Sequence, residues 1–139
     1  MARRARATAG PLALGTSTST FTPYDCSASA INNNGQILGG CDDTSSNEHA
    51  VLWQNGTPTD LGTFGGPQAE AAGINNLGQV VGFAQTSTDA DHGFLWSNGQ
   101  MTDLGLNFFP AAINDNGQIV ANAYDTNTYQ GHALLLTPD

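Results

Sequence analysis

Three histidines, His49, His92 and His132, are spaced by 43 and 40 residues, each at the head of an apolar stretch. Imidazoles hold zinc or move protons, but a zinc site draws on His-x-His or acidic partners at short spacing, and none occurs here. The regular interval assigns each histidine one structural duty, satisfying a neighbouring backbone group within its own unit. Asp42, Asp43, Asp89 and Asp91 are the candidates for calcium, a hard cation that takes oxygen ligands. The turns Asn32-Asn-Asn-Gly35 and Asn114-Asp-Asn-Gly117 lack the alternating carboxylates and distal bidentate Glu of a calcium loop, so hairpin chemistry explains them better. Trp53 and Trp96 offer sugar-stacking faces, yet both sit in apolar runs where the third unit has Leu136, so core packing accounts for them better. Tyr24, Tyr124 and Tyr129 lie in less regular polar stretches and are the candidate ligand contacts. The strings Thr16–Thr20, Thr86–Thr88 and Thr126–Thr128 fall in loops of unlike composition, so no regular threonine array is expected.

Catalysis has little to draw on. All three basic residues, Arg3, Arg4 and Arg6, lie in the first six positions, and no Lys or Arg follows to clamp an anion. No nucleophile motif frames any serine. The reading is no enzyme, no catalytic residue and no cofactor. From Ala7 onward the chain carries a formal charge of −12, with no basic residue against 12 acidic ones. Such a body cannot neutralise phosphates, which excludes nucleic acid, and it disfavours anionic membrane surfaces. No apolar run approaches the roughly 20 residues of a membrane-spanning helix.

The elements that position these residues follow from a repeat. Ile31–Gly39, Ile74–Gly82 and Ile113–Ala121 align without gaps, each opening Ile-Asn and carrying Gly-Gln four residues on. His49–Gly56, His92–Gly99 and His132–Leu136 follow, and Thr59-Asp-Leu-Gly-Thr63 matches Thr102-Asp-Leu-Gly105. Each unit of about 40 residues reads as four strands, here a to d. Asn34-Gly35, Leu77-Gly78 and Asn116-Gly117 turn strand a into strand b, and Asn55-Gly56 and Asn98-Gly99 turn c into d. Strand c, as in Gly93-Phe-Leu-Trp96, is continuously apolar, the mark of a strand covered on both faces. Pro58 confines strand d to an edge.

The expected fold is therefore all-β: three four-stranded repeats forming β-propeller-like blades, with the β-trefoil as alternative. Residues 1–10 form a basic N-terminal arm or an expression remnant. A single repeat domain spans 11–139, with units of about 11–56, 57–99 and 100–139. Cys26 and Cys41 flank the first a–b hairpin, where units two and three carry Ala69 with Ala84 and Phe108 with Ala123. Their joint change favours a disulfide over two free buried thiols.

These blocks carry a resemblance. Ile-Asn-x-x-Gly-Gln-Val-Val-Gly, His-Ala/Gly-Phe-Leu-Trp-x-Asn-Gly and Thr-Asp-Leu-Gly-Thr-Phe-Gly-Gly together resemble the bacterial extracellular HAF repeat, over nearly everything after residue 12. The resemblance implies secretion or surface display, a propeller-like fold and no established activity. The family usually shows more than three repeats, and the first unit here is degenerate around Leu14-Gly-Thr. Either the chain is a piece of a longer array, or it is a short version that completes itself by assembly. The expected function is a non-catalytic extracellular module for binding or self-assembly, as a homo-oligomer or filament. The alternative is a carbohydrate-binding module with a glycan as partner.

Overall fold

The computed structural model of the protein describes Leu14 and residues 21–139, with side chains at Leu14 and from residue 25 onward. Arg3, Arg4 and Arg6, the arm 1–10, the Thr16–Thr20 string and the side chain of Tyr24 lie outside the described residues. The described chain is all-β, with eleven strands in three antiparallel sheets. The first sheet orders β1 (Phe21–Ile31), β2 (Ile37–Asp43), β3 (Glu48–Gln54) and β4 (Thr57–Asp60) side by side. The second repeats this with β5 (Gly65–Ile74), β6 (Val80–Thr86), β7 (Asp91–Ser97) and β8 (Gln100–Leu106). The third has β9 (Phe108–Ile113), β10 (Ile119–Asp125) and β11 (Gln130–Leu136). Its three strands depart from the four expected: no strand d pairs with β11 among the described residues.

Local chemistry sets this pattern. Asn55 and Gly56 (φ 51° and 78°), like Asn98 and Gly99 (φ 50° and 83°), both adopt left-handed backbone, which matches the twist of a tight hairpin. Prolines keep to edges: Pro58 lies in β4, Pro67 in β5 and Pro110 in β9, each the outermost strand of its sheet. The first strand of every sheet carries a register shift at the same place, near Ser29, Ala72 and Ala111. Such bulges add local twist.

The sheets stack face on face through two cores. Leu38, Ala50, Leu52 and Leu61 of the first sheet meet Ala69, Val80, Ala84 and Phe94 of the second. On the second sheet's other face, Val81, Leu95 and Leu104 meet Ile113, Ile119 and Leu136 of the third. Strand alternation explains the split, because successive side chains point to opposite faces and each inner strand feeds both cores. Close approach also needs glycine: a Cβ at Gly93 would run into the carbonyl and ring of Phe108 and the ring of Pro110. Separate stacked sheets are the propeller-like arrangement rather than the barrel of a trefoil. Cys26 and Cys41 face each other across β1 and β2 and are joined as a disulfide.

Candidate functional site

Polar groups tie the sheets together along the a–b turns. Asn32 Oδ1 accepts from the backbone N–H groups of Asn34 and Gln36, both at 3.0 Å, closing its own turn. Its Nδ2 donates to Gln36 Oε1 at 2.7 Å and to the carbonyl of Asn75, in the next sheet's turn, at 3.0 Å. Asn75 repeats all four bonds, to Leu77 N (3.1 Å), Gln79 N (2.9 Å), Gln79 Oε1 (2.7 Å) and the carbonyl of Asn114 (3.0 Å). Asn114 makes the three bonds inside its turn but has no following carbonyl to meet among the described residues. A second rail runs beside the first. Asn33 N donates to Asn76 Oδ1 at 2.7 Å, and Asn76 N and Nδ2 each donate to the Asp115 carboxylate at 2.8 Å. Those bonds, the backbone N–H foremost, hold the Asp115 carboxyl below its ordinary range. The turns thus form a directional ladder. One end offers the Asn32 carbonyl and Asn33 side chain as acceptors, and the other offers the Asn114 Nδ2 as a donor.

The apolar faces end in the same way. Leu38 and Val81 are 0% exposed, but Val120, which holds their position in the third sheet, is 47% exposed. Leu52 is 5% exposed and its counterpart Leu135 is 61% exposed. Strand β11, expected to be covered on both faces like its counterparts, is exposed along its length apart from the half-buried Leu136, which packs against the second sheet. Val120 and Leu135 line an open, mostly apolar hollow with Ala111, Asn122 and Ala133.

The histidines do not converge. His49 Nδ1 lies 2.8 Å from Asp60 Oδ2, and His92 Nδ1 lies 2.8 Å from Asp103 Oδ2, so each ring joins strand c to strand d in its own sheet. Their partner is a carboxylate rather than the backbone group expected. Each carboxylate in turn caps the following loop, accepting from Gly62 N at 2.9 Å and Gly105 N at 2.8 Å. His132 is exposed, in the sheet where no strand d is described.

The other candidate residues divide similarly. Trp53 is buried and Trp96 half-buried, both packed in cores. Tyr124 and Tyr129 are exposed. Asp43 accepts from Ser45 N (2.7 Å), Asn47 N (2.9 Å) and Asn47 Nδ2 (3.0 Å), and the Asn47 bonds above all lower its pKa to about 2. Asp42 lines a polar hollow with Asp25 and Glu48. Burial raises the Glu48 pKa, with Glu70 and Asp42 adding repulsion. Asp89 turns in left-handed backbone (φ 59°) ahead of β7, and Asp91 opens that strand. Among the described residues, no group of three or more His, Cys, Asp or Glu side chains is arranged to hold a metal ion. No helix long and apolar enough to cross a membrane occurs among them either.

The ladder was missed in the sequence because Asn-x-x-Gly reads fully as a hairpin turn. The available signal was the Asn that opens all three turns, where Ser or Asp would serve a turn as well. Comparison of the chain with protein-family models, with curated proteins and with solved structures gives no match.

Proposed function

We propose that the protein is a non-catalytic, secreted or surface-displayed module of the HAF-repeat type that self-assembles head to tail through its two terminal sheets. The observation that carries this reading is the exposure of Val120, at a position buried in both earlier sheets, and of Leu135, whose counterparts Leu52 and Leu95 are buried and half-buried. An apolar sheet face of this kind marks an interaction surface. The ladder supports the choice of a second copy as occupant. Its donor end at Asn114 and its acceptor end at Asn32 and Asn33 belong to opposite ends of the same stack, as a repeating contact requires. Two copies joined twice would close a six-sheet ring, and unclosed addition would give a filament. The Cys26–Cys41 bond supports secretion, since disulfides persist in oxidising compartments.

Solution mass by light scattering over a range of concentrations tests the proposal. A dimer or larger species that falls to monomer in Leu135→Asp is the expected outcome, and a wild-type monomer at every concentration would overturn it. The exposed rings of Tyr124 and Tyr129 favour a second reading, carbohydrate binding, in which a glycan array gives signals that Tyr129→Ala abolishes.

A further inference from the structure

Asn34, Asn55, Asn98 and Asn116 are each followed by glycine, and all four side chains are exposed. Asparagine before glycine is the most labile setting for a side-chain amide, because no Cβ on the next residue hinders its main-chain nitrogen from reaching the asparagine Cγ. By sequence the four positions are alike. The structure divides them into two pairs.

The a–b turns hold that nitrogen in place. Gly35 N donates to the Asn32 carbonyl at 3.1 Å, and Gly117 N to the Asn114 carbonyl at 3.0 Å. The side chains of Asn32 and Asn114 brace the same turns, accepting from Asn34 N and Gln36 N, and from Asn116 N and Gln118 N. The amide that would leave from Asn34 is itself tied to the next sheet, donating to the Asn76 carbonyl at 2.7 Å.

The c–d turns lack such bracing. Gln54 pairs with Thr57 and Ser97 with Gln100, which leaves the N–H groups of Gly56 and Gly99 outside the ladder. Among the described residues neither donates a hydrogen bond. The space around both glycines is open, since a Cβ at either would meet nothing within 4 Å. The two hairpins differ in how firmly they are closed. Strand β4 has four residues, and Pro58 among them has no N–H, whereas β8 has seven. Local opening, which the attack requires, is easier where fewer bonds must break.

We propose that Asn55 is a site of spontaneous main-chain modification, converting to aspartate and isoaspartate, with Asn98 the next fastest and Asn34 and Asn116 protected. Gly56 N gives up its proton to water and bonds to Asn55 Cγ, the bond from Cγ to the amide nitrogen breaks, and ammonia leaves with a proton from water. The resulting five-membered succinimide takes up one water at either carbonyl, so the balance is asparagine plus water to acid plus ammonia. Opening to aspartate leaves Asp-Gly, which suits the same hairpin turn. Opening to isoaspartate lengthens the main chain by one carbon. That breaks the two-residue turn holding β4 beside β3, and with it the 2.8 Å contact between His49 and Asp60. Either product adds a negative charge. The proposal is independent of self-assembly.

The test is to age the full-length protein at mildly alkaline pH and map its peptides by mass spectrometry, reading the amide-to-acid mass gain at each site and labelling isoaspartate with an isoaspartyl methyltransferase. Conversion at Asn55 is expected to be fastest and at least about ten-fold faster than at Asn34 or Asn116, because two bracing bonds must open first in the a–b turns. In urea-unfolded chains the four sites should convert at similar rates. Asn32→Ala, checked by circular dichroism, should bring Asn34 up towards Asn55. Folded protein in which Asn34 or Asn116 converts as fast as Asn55 would overturn the proposal. So would an Asn55 that stays intact while the unfolded chain converts.

Discussion

The contact between the first and second sheets and the outer face of the third use the same repeat positions in opposite circumstances. Leu38 and Leu52 are sealed under Val80, Ala84 and Phe94, while Val120 and Leu135 are open. Asn75 reaches a neighbouring carbonyl at 3.0 Å, while among the described residues the same amide of Asn114 meets only Gln118. His49 and His92 grip a strand-d aspartate, and no such aspartate stands beside β11 among the described residues. What differs is the neighbour rather than the unit. A repeat unit cannot bury both apolar faces alone, so its outermost member needs a cap or a partner.

The largest expected effect separates the covered leucine from the open one. Leu52→Ala is expected to cost about 2–5 kcal/mol of chain stability, the range for truncating a buried leucine. Leu135→Ala is expected to cost under about 0.5 kcal/mol in the monomer, as an exposed position should. Urea unfolding under monomeric conditions measures both, and equal losses would erase the contrast. Removing the disulfide with Cys26→Ser and Cys41→Ser, which unties the first sheet, is expected to cost about 3 kcal/mol for a loop of this length.

A smaller difference is expected along the ladder. Asn75→Ala removes four bonds from a side chain only 3% exposed and should cost about 1–3 kcal/mol more than Asn114→Ala, whose surroundings are solvated. Thermal or urea denaturation of the two variants checks this, and in an assembled protein the gap should narrow.

The smallest effects are those of pH, and they run in opposite directions within the first sheet. Asp43 has its pKa depressed from 3.8 to about 2, so the stability it contributes is complete above 3.8 and is lost as pH falls through about 2. Asn47→Ala should return its midpoint, followed by NMR, towards 3.8. Glu48 has its pKa raised from 4.5, so the folded state favours the neutral acid below 4.5 and loses that advantage as pH rises through the folded pKa. Glu48→Gln is therefore expected to raise the melting temperature at pH 7 and leave it nearly unchanged at pH 3.

Much of this was legible in the residues. The Ile-Asn and His blocks disclose the period, Asn-Gly pairs disclose the hairpins, and Pro58 discloses an edge. Each is a local steric demand that a short stretch of chain settles by itself. Cys26 and Cys41, changed together in one unit, disclose a pairing once the a–b hairpin is accepted. The histidines were assigned a backbone partner, and the aspartates that His49 and His92 meet, 11 residues away across the c–d hairpin, were not named.

The sequence by itself determined the strands, the turns and the three-fold repetition, because these depend on φ preferences and on alternation within a few residues. Only the tertiary structure decided which copies of a repeated position are covered. Leu52 and Leu135 are the same residue type at the same place in their units, and nothing local distinguishes them. Burial is set by whether another sheet lies about 10 Å away. For the same reason an asparagine that looks like turn chemistry in one unit becomes, between stacked units, the bond that joins them.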